Sequence, residues 1–448
     1  MIKPENIQMP DNCITIIDTL EAAGFEAYAV GGCIRDVIMG REPNDWDITT
    51  SAKPEDVKRL FGRTVDTGIQ HGTVTVLMGE EGYEVTTYRI DGIYEDARHP
   101  KEVSFTSDLL EDLKRRDFTI NALAYNPKRG LVDEFDGIGD MDRQIIRCVG
   151  IAEERFEEDA LRMMRAVRFA AQLGFTLEEE TARAITKLSE NLTKVSAERI
   201  MVELSKLITS DHPEMLRDAY RLGLTKQFFP EFDLCMETTQ NTPYHCFDVG
   251  EHILHTMINV RKDRILRFTM MLHDIAKPQT KTVDEFGITH NKGHAEMGVT
   301  MSKSILRRLK SDNDLISASS TLIKYHDWRF GADKESVRRA MSKVGYELFP
   351  LLLEAQRADF AGQNQNYKYE ESMGRLEKSQ RFYEEILADG EAVTIQDLEV
   401  TGRDLVEAGI SEGPQIGVIL NNMLEHVLKN PEENQKERLL SLFINDKN

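Results

Sequence analysis

Two aspartates separated by a single residue, Asp45 and Asp47, follow a glycine pair, Gly31 and Gly32, within residues 28–50. On an extended strand, side chains two positions apart leave the same face, so both carboxylates could bind one divalent cation. Mg²⁺ is the natural candidate because it prefers a few carboxylates together with substrate phosphates. Adjacent glycines after a strand let the backbone approach a bulky anion and present N–H groups at a helix start. A polar strand end and an ordinary turn would explain each motif alone, but their occurrence in one strand-turn-helix-strand unit favours a metal and phosphate site.

Neighbouring segments could complete this site. Residues 71–78 and 83–89 are rich in β-branched residues and are predicted to be strands. Glu84, on the second of them, could bring a third carboxylate to the metal, although a solvent-facing glutamate fits the pattern equally well. Residues 90–108 lack periodicity and mix charge with glycine and proline, which indicates a mobile loop over the site that acts as a lid.

Three adjacent cations, Lys114, Arg115 and Arg116, precede a helical apolar pattern that runs to Ala124. Such a cluster can neutralise the charge of a triphosphate. A solvated run of surface charge is the alternative. Residues 133–150 are rich in turn residues and are predicted to be a connector that closes the first domain.

A strongly helical stretch from Ala152 to Phe169 carries Asp159 and Arg162 three residues apart, on one face. A carboxylate can accept from an exocyclic amine while a guanidinium donates to a ring nitrogen or carbonyl, which matches the pairing edges of cytosine and adenine. Guanine and uracil would be mismatched at both contacts. An ordinary surface ion pair is the alternative. Arg165 and Arg168 extend a cationic stripe, so we expect a concave basic strip for RNA on this side.

Histidines and aspartates recur along apolar helices beyond a boundary at residues 238–243. They are His252 and His255 in one predicted helix, His273 and Asp274 at the end of the next, and then His294, His326 and Asp359. Imidazole and carboxylate groups from several helices could bind one or two transition-metal or magnesium ions and activate water against a phosphoester. A His-Asp pair that ends an otherwise apolar helix is hard to explain by packing alone.

Length and composition limit the class of protein. A chain of 448 residues is too long for one ordinary core and predicts several domains. The net charge of −21 argues against broad, charge-driven binding of nucleic acid, so an RNA partner would need local basic patches. The five cysteines are scattered without a CxxC pair, which argues against a structural zinc site. Without an apolar run of membrane-spanning length or a signal-like start, we expect a soluble cytoplasmic protein.

Helices are predicted around these sites from apolar residues at helical spacing. The pattern predicts helices over residues 11–24, from Pro54 to about Phe61, and over Ser196–Ile208, where a serine caps the start. Beyond the first domain the chain is predicted to be helical almost throughout.

The motifs, in their order, resemble those of the bacterial class II tRNA nucleotidyltransferases, the CCA-adding enzymes of the polymerase-β-like superfamily, over nearly the whole chain. GGCIRD and NDWD resemble the metal and triphosphate motif, and RRDFTINALA resembles the ribose and nucleotide motif. EEDALRMMRAVRF resembles the element that acts as a protein template for the incoming base. AERIMVELSK resembles the element that closes the neck, and GRDLVEAGISEGPQIG resembles the tRNA-binding tail.

The resemblance implies roles for individual residues. The implied catalytic residues are Asp45, Asp47, Arg116 and Asp117, with Asp45 and Asp47 as ligands of Mg²⁺. The implied nucleotide-binding residues are Gly32, Arg35, Arg115, Arg116, Asn121, Asp159, Arg162, Arg165 and Arg168. The histidine and aspartate set resembles the HD phosphohydrolase domain of some bacterial members, with a divalent metal of unknown identity on His252, His273, Asp274 and Asp359.

The implied fold is α+β, with a small mixed-sheet nucleotidyltransferase head followed by an elongated all-helical neck, body and tail that includes an HD-type domain. The implied domains are a catalytic head at 1–148, a neck and body for base selection and RNA binding at 149–240, an HD-type domain at 241–375 and a tRNA-binding tail at 376–448. The implied partners are tRNA, CTP and ATP, without a membrane, and the oligomeric state is left open.

The implied activity is addition of CCA to the tRNA 3′ end, with a second, phosphohydrolase activity. The HGTVTV strand and the EDARHP loop favour complete CCA addition, because members that add only CC are expected to have a shorter loop. A poly(A) polymerase on the same scaffold is one alternative. The other is an HD phosphohydrolase or RNA-binding regulator with a degenerate head, against which the intact Asp45 and Asp47 argue.

Overall fold

The computed structural model describes residues 7–69, 72–91, 103–364 and 369–444. They fall into two units, Met1–Pro230 and Glu231–Asn448. The α+β fold class expected from the sequence is confirmed, because the first unit holds a mixed sheet and the second is built mainly from helices. All five cysteines are free. Within the described ranges, none of the helices is both long enough and apolar enough to cross a membrane.

The first unit contains most of the β-structure. Its strands are β1 (Ala27–Val30), β2 (Ile48–Thr50), β3 (Thr64–Gly68), β4 (Thr73–Met78), β5 (Glu81–Thr87), β6 (Arg89–Asp91), β7 (Val103–Phe105), β8 (Ala124–Asn126), β9 (Gly130–Val132), β10 (Ile145–Ile146) and β11 (Thr176–Leu177). In the part of the chain that the structure describes, the main sheet has the order β3-β4-β5-β2-β1-β8-β9. The predicted strands at 71–78 and 83–89 are confirmed as β4 and β5, except that His71 lies outside the described residues and that β5 ends at Thr87, with Arg89 in β6.

Helices surround this sheet and continue beyond it. They are α1 (Asp11–Ala22), α2 (Gly32–Ile38), α3 (Pro54–Leu60), α4 (Leu109–Lys114), α5 (Gly137–Arg143), α6 (Ala152–Glu158), α7 (Leu161–Leu173), α8 (Glu179–Leu188), α9 (Ala197–Ile208), α10 (Leu216–Arg221) and α11 (Thr225–Phe228). The three helices predicted at α1, α3 and α9 are confirmed. The serine cap predicted for α9 is wrong, since the Ser196 side chain makes no capping hydrogen bond and the helix begins through the backbone carbonyl of that residue.

Strand β1 lies inside the sheet, next to its central strand β2. Its four residues, AYAV, are all buried, because β2 and β8 flank it on both sides in antiparallel pairing. Tyr28 and Val30 pack in one core cluster with Tyr88 and Leu113. A strand that is buried on both faces has apolar residues at consecutive positions, as β1 has. Because β1 is packed on both faces, the residues that follow it start from a fixed backbone position.

The strand predicted to carry Asp45 and Asp47 is shorter than expected. Strand β2 begins at Ile48, so both aspartates lie just before it. The backbone N–H of Val30 nevertheless donates to the carbonyl of Asp47 at 2.9 Å, so the pairing with β1 includes the residue that directly precedes β2. Asp47 is therefore held at the end of β1, where the glycine turn begins.

Two other segments differ locally from the sequence pattern. The helical pattern predicted after Arg116 is a short 3₁₀ helix, Thr119–Asn121, followed by the sheet strand β8. Its apolar residues are buried on all sides, and a short run of that kind has no period that separates helix from strand. The connector predicted at 133–150 contains α5, whose first N–H groups, those of Gly137 and Ile138, donate to the Asp133 carboxylate.

The predicted mobile loop falls mainly on residues 92–102, which lie outside the described residues. The described ends of the predicted loop are not irregular, because β6 and β7 pair there as antiparallel strands. The lid predicted from the sequence therefore also falls outside the described residues.

The second unit is mainly helical. Its elements are α12 (Pro230–Met236), α13 (Val249–Ile258), α14 (Arg264–Leu272), α15 (Lys277–Thr280), β12 (Thr282–Val283), β13 (Thr289–His290), α16 (His294–Arg308), α17 (Asn313–Tyr325), α18 (Lys334–Val344), α19 (Leu348–Ala361), α20 (Tyr369–Ala388), α21 (Gly402–Glu407), α22 (Pro414–Val427) and α23 (Lys436–Phe443). An apolar core built around Phe349, Leu352 and Leu353 on α19 extends to residues of α22 and α23. This core fixes α19, which carries Asp359, against its neighbours.

Candidate functional site

The first candidate site is a group of three carboxylates on two neighbouring strands, with Asp45 and Asp47 just before β2 and the exposed Glu84 within β5. β2 and β5 run parallel, with Ile48 opposite Val85, so Asp47 and Glu84 each directly precede a paired position. Burial raises the pKa of Asp47 to about 6, and the charges of Asp45 and Glu84 add to the effect. A carboxylate whose negative charge is disfavoured by two others is a fitting ligand for a hard divalent cation. The sequence-based hypothesis of a third carboxylate at Glu84 is consistent with this arrangement.

The glycine turn brings a cation beside the carboxylates. Gly31 has φ 83° and immediately precedes α2, a conformation that favours glycine. A Cβ atom there would lie 3.0 Å from Nη1 of Arg116, so the absent side chain makes room for the guanidinium. The charge of Arg116 also opposes the rise in the pKa of Asp47. Nε of Arg116 is buried without a hydrogen-bond partner among the described residues, which fits a site for an anion.

Three of the predicted nucleotide-binding residues, Arg35, Asn121 and Arg165, form a hydrogen-bond chain through Asp117. Nη1 of Arg35 donates to Oδ1 of Asn121 at 2.7 Å, and Nδ2 of Asn121 donates to Oδ1 of Asp117 at 3.1 Å. Arg165 on α7 donates to Oδ2 of Asp117 at 2.8 Å. Although burial opposes its charge, Arg165 and Arg162 hold the pKa of Asp117 well below its usual range. The chain therefore joins the glycine turn to α7.

Arg115 pairs with the buried carboxylate of Asp112. Its Nε and Nη2 atoms both donate to Oδ1 of Asp112, at 3.0 and 2.7 Å. Asp112 is fully buried, and it also accepts from the hydroxyl of Thr49 at 3.0 Å. Nη2 of Arg116 also lies 3.5 Å from Oδ2 of Asp112, so the two arginines of the predicted phosphate-neutralising triplet share this buried carboxylate, and Arg115 is bound to it more closely.

The prediction that Asp159 and Arg162 lie on one helix face is wrong. The helical stretch breaks after Glu158, and Asp159 has extended dihedral angles, φ −143° and ψ 102°. Its carboxylate instead accepts from Arg199 on α9, with Nη1 to Oδ1 at 3.2 Å and Nη2 to Oδ2 at 2.7 Å. It also accepts from the N–H of Leu161 at the start of α7. Side chains that end one helix and begin the next do not follow the spacing of a continuous helix.

Arg162 has its own set of partners. Its Nη1 atom donates to Oε2 of Glu158 at 2.5 Å and to the carbonyl of Arg155 at 3.2 Å. Its Nη2 atom donates to the carbonyl of Arg115 at 3.0 Å. The guanidinium is thus held by α6 and by the segment after α4.

The expected basic strip is not formed by the described residues of α7, because Arg162, Arg165 and Arg168 are each paired with a carboxylate. Arg168 is buried, and its Nε donates to Oε2 of Glu203 on α9 at 2.5 Å. Leu161, Met164 and Val167 are buried as predicted, and on the cationic side Arg168 is buried while Arg162 and Arg165 are partly exposed. The cationic side of α7 therefore binds the acidic residues of the first unit rather than facing solvent.

The second candidate site is a cluster of imidazole and carboxylate groups in the second unit. The four predicted ligands come from three helices: His252 from α13, His273 and Asp274 from the end of α14, and Asp359 from α19. Nε2 of His252 lies 3.1 Å from Oδ1 of Asp359 and 3.2 Å from Nε2 of His273. Nε2 of His273 lies 3.2 Å from Oδ2 of Asp274. All four side chains are buried, so the structure brings this predicted set together.

The ring orientations of this set suit a metal. Nδ1 of His252 lies 3.0 Å from the carbonyl of Gly362, and Nδ1 of His273 lies 2.8 Å from that of Met270. A carbonyl accepts only from a protonated nitrogen, so the lone pairs of the neutral rings are on Nε2 and point into the cluster, as in protein metal sites. Without a metal, burial opposes the charge of His273, yet Asp274 and Asp359 raise its pKa to about 10. A proton on His273 then supplies the positive charge that a metal cation would otherwise supply to these carboxylates.

His255, grouped with these residues in the sequence, lies outside the cluster. Its ring stacks on Phe247, with 4.0 Å between the ring centroids. His255 is one turn from His252 on α13, a spacing that puts two side chains on the same side of a helix, yet its ring packs on Phe247 instead of on the cluster. His294 and His326 do reach the cluster, where they line a cavity of about 580 Å³ together with Lys277 and Arg329.

Sequence reasoning missed several residues that hold the predicted ones in place. Arg199 and Glu158 bind the two proposed base-selecting residues, and Glu203 binds Arg168. Arg199 and Glu203 lie in the AERIMVELSK motif, so the motif was visible although the partners of its side chains were not. In the second unit, Lys277 lies 2.6 Å from Oδ2 of Asp274. In the sequence, Lys277 follows the His-Asp pair after two apolar residues, and this position could have identified it as a neighbour of Asp274.

Three family models match the chain. They are the "Poly A polymerase head domain" over residues 27–147, the "Probable RNA and SrmB- binding site of polymerase A" over residues 174–236, and tRNA nucleotidyltransferase domain 2 over residues 294–443. The first covers the sheet with its three carboxylates, and the second covers α9. The third begins at His294, inside the second unit.

Individual proteins that are similar to this chain are CCA-adding enzymes, in agreement with the family models. A CCA-adding enzyme of Levilactobacillus brevis is 37% identical over 449 residues, which covers 98% of each chain. The crystal structure of the Bacillus stearothermophilus CCA-adding enzyme in complex with CTP is 30% identical, with a TM-score of 0.74 over 100% of this chain and 98% of that one. The Thermotoga maritima CCA-adding enzyme complexed with tRNA, at 20% identity and a TM-score of 0.57, shows likeness of fold alone. The chain therefore belongs to the CCA-adding enzymes, a family of tRNA nucleotidyltransferases.

Proposed function

We propose that this protein adds CCA to the 3′ end of tRNA from CTP and ATP, with Mg²⁺ bound by Asp45, Asp47 and Glu84. The observation that carries the proposal is that Asp45 and Glu84 lie near enough to Asp47 for their charges to raise its pKa, beside Arg116, whose Nε atom is buried without a hydrogen-bond partner among the described residues. The family membership and the solved complexes of similar proteins with CTP, ATP and tRNA support the choice of substrates.

In the proposed reaction the tRNA 3′-hydroxyl attacks the α-phosphorus of CTP twice and then of ATP, and pyrophosphate leaves each time. Mg²⁺, when bound, would lower the barrier to hydroxyl attack and offset the charge of the leaving pyrophosphate. Arg116 adds a fixed positive charge, which the glycine turn keeps close to the carboxylates. Asp117 and Arg35 do not need to touch the substrate for this step, because they hold the turn and α7 in position.

The product length tests this function. A tRNA that lacks its terminus, incubated with the protein, CTP and ATP, should gain the CCA sequence and then stop. With ATP alone the same tRNA should not be extended into a long tail. A long adenylate tail would show a poly(A) polymerase instead, and no extension under any mixture would show that the head is degenerate.

We also propose that Asp159 and Arg162 select the base, although both are engaged in the structure. A carboxylate has about four lone-pair positions, and Arg199 and the N–H of Leu161 account for three on Asp159. A guanidinium has five N–H groups, and the bonds to Glu158 and to two carbonyls account for three on Arg162. Each side chain therefore keeps capacity for one base edge, while its other bonds fix its direction.

Replacing Asp159 with alanine should reduce the preference for CTP over UTP by about 10-fold, since a well-formed base contact contributes about 1–3 kcal/mol of discrimination. The measurement is the ratio of kcat/KM for the two nucleotides on one preparation, which partial loss of folded protein does not alter. Glu157→Ala is the matched control, because this neighbouring acid is exposed. An unchanged ratio for Asp159→Ala would remove Asp159 from base selection.

A specific observation supports a second activity. The buried cluster of His252, His273, Asp274 and Asp359 opens to a cavity that also contains Arg329, a cation able to bind a phosphate. We propose that a divalent metal on these four residues serves hydrolysis of a phosphoester, such as a cyclic or terminal phosphate at an RNA end. Such a metal would activate water. The test is substitution of His273, whose effect should be confined to phosphate release.

A further inference from the structure

A second cavity, the arginine cavity, adjoins the one at the histidine and aspartate cluster. Its volume is about 750 Å³, and Tyr244, Arg329 and Gln363 line both cavities, so the two share a wall. Phe360 near the end of α19 and Arg375 on α20 line the arginine cavity alone. The described lining of this cavity includes none of the four proposed metal ligands, so it is a site distinct from the cluster.

Arg375 is held in one orientation by a buried amide. Its Nη2 atom donates to Oε1 of Gln356 on α19 at 3.2 Å, and its Nη1 atom donates to the carbonyl of Phe330 at 3.4 Å. Gln356 is fully buried, and its Nε2 atom donates to the carbonyls of Tyr325 and Trp328, at 3.3 and 3.0 Å. These two bonds fix the amide so that Oε1 faces the guanidinium. A cation that is fixed in advance loses little entropy when it binds an anion.

Arg375 has no carboxylate as a partner in the part of the chain that the structure describes. Its two hydrogen-bond acceptors there, an amide oxygen and a backbone carbonyl, are uncharged. Burial, together with the positive charge of Arg329, lowers the pKa of Arg375 to about 10. A carboxylate nearby would raise that pKa, so Glu370 and Glu371, which also line the cavity, do not neutralise Arg375. An anion in the cavity would supply the missing negative charge.

Arg329 lies at both cavities. Its Nη2 atom is 3.7 Å from Oδ2 of Asp359, one of the proposed metal ligands, and 3.2 Å from Oδ1 of Asp327. Its Cζ atom is 4.3 Å from the centroid of the Phe360 ring, which lines the arginine cavity. The guanidinium therefore lies between the cluster and the arginine cavity, where it can bind a group that extends from one to the other.

We propose that the arginine cavity binds the phosphodiester next to the end of an RNA whose terminal phosphate lies at the cluster, with Arg375 and Arg329 as the binding cations. The proposal rests on the phosphohydrolase function and names its substrate class, an RNA end rather than a small phosphomonoester. Guanidinium groups suit this role, because their planar donors match two phosphate oxygens. Tyr244 lines both cavities and is about half exposed, so it adds an aromatic ring on which the terminal base can stack.

The experiment compares two nucleotides that differ by one phosphate. Adenosine 3′-phosphate carries only the terminal phosphate, whereas adenosine 3′,5′-bisphosphate also carries the phosphate of the preceding linkage. In the reaction a water oxygen bonds to the 3′-phosphorus and the ester bond to the ribose oxygen breaks, which leaves a 3′-hydroxyl and inorganic phosphate. With Mn²⁺ the unaltered chain should release the 3′-phosphate with a kcat/KM about 10-fold or more higher for the bisphosphate, because a charge-assisted hydrogen bond to phosphate is strong.

Replacing Arg375 with methionine should lower this preference to about 2-fold or less, because methionine is unbranched but carries no charge. Arg375→Lys, which keeps the charge without the planar donors, should retain a preference between those values. Arg381→Met is the matched control, since Arg381 also lies on α20 but is exposed, with its Nε atom 3.9 Å from Oε1 of Glu385. It should keep the full preference. The ratio is measured on one preparation, so partial loss of folded protein does not alter it.

Equal kcat/KM values for the two nucleotides in the unaltered chain would overturn the proposal, and so would a preference that persists in Arg375→Met. The first comparison requires no variant, so misfolding of a variant does not remove the test.

Calorimetry with chelator separates binding from hydrolysis, with adenosine 3′,5′-bisphosphate as the probe. The unaltered chain should bind one bisphosphate that Arg375→Met binds about 10-fold more weakly or not at all, and binding by the first unit is common to both chains. Identical binding by the two chains would overturn the proposal. Binding that depends on Arg375 without phosphate release would refute only the hydrolase function, whereas release from both nucleotides without a preference would refute only the phosphodiester site.

Discussion

Replacing Asp47 with asparagine should reduce the rate of nucleotide addition to tRNA by about 1000-fold or more, which corresponds to about 4 kcal/mol of lost transition-state stabilisation. Asparagine keeps the size of the side chain but removes the charge that would hold Mg²⁺, so addition of both C and A should fall together. The measurement is the single-turnover rate with labelled CTP and with labelled ATP. The same substitution at Asp45 should act alike, since both carboxylates are proposed to bind one ion.

The stability of the variant separates lost metal binding from lost folding. In the metal-free protein, burial and the charges of Asp45 and Glu84 raise the pKa of Asp47 to about 6. The folded chain therefore binds this proton more tightly than the unfolded chain, so stability is lost as the pH rises through about 6. With chelator at about pH 7.5, Asp47→Asn should melt at the same temperature as the unaltered chain or higher, and the difference should shrink toward about pH 5.

Asp66→Asn is the control for the same chemical change on the same sheet. Asp66 is exposed on β3, where it accepts from Lys58 at 2.9 Å, and an exposed pair of this kind contributes about 1 kcal/mol at most. Its activity should be unchanged. Addition at the normal rate by Asp47→Asn would contradict the metal assignment, and a lowered melting temperature would attribute the loss to the fold.

Replacing His273 with alanine should reduce metal-dependent release of phosphate by about 100-fold or more, because loss of a ligand removes the metal-activated water. CCA addition by the same preparation should remain, since His273 belongs to the second unit and the three carboxylates belong to the first. The substrates are an RNA that ends in a 2′,3′-cyclic phosphate and one that ends in a 3′-phosphate, each assayed with Mn²⁺ and with chelator.

His255→Ala is the matched control for the second activity. His255 lies on α13 with His252, yet it stacks on Phe247 outside the cluster. It should retain phosphate release. Release that survives in His273→Ala would place the activity elsewhere, and the absence of release by the unaltered chain on both RNAs would show that the cluster does not act as a phosphohydrolase.

The carboxylate site of the first unit could be predicted because most of the residues that indicate it lie close together in the chain. The glycine pair after an apolar strand, the helix α2 behind it and the two aspartates before the next strand lie within residues 28–50. Gly31 has the positive φ that glycine favours, and α2 begins where the pattern placed it. The four ligands His252, His273, Asp274 and Asp359 were also predictable as residue types, because packing alone does not account for a His-Asp pair at the end of a buried apolar helix.

The two proposed base-selecting residues show where prediction from residue spacing fails. Asp159 and Arg162 are three positions apart, which predicts neighbours on a helix, but the helix breaks after Glu158. The partner of Asp159 is Arg199, forty positions later, and a contact at that range leaves no trace in local periodicity. For the same reason the cationic stripe of α7 was expected to face RNA, whereas Arg168 is buried against Glu203 on α9.

The amino-acid sequence by itself determined the chemistry of this protein, since it specified which side chains are carboxylates, imidazoles and guanidiniums and on which local elements most of them lie. The tertiary structure decided which of them meet. It placed Glu84 beside Asp47 through the pairing of two parallel strands, and it placed Asp274 beside histidines from separate helices. The physical reason is that hydrogen bonding and side-chain period act over a few residues, whereas metal sites are assembled by packing between segments far apart in the chain.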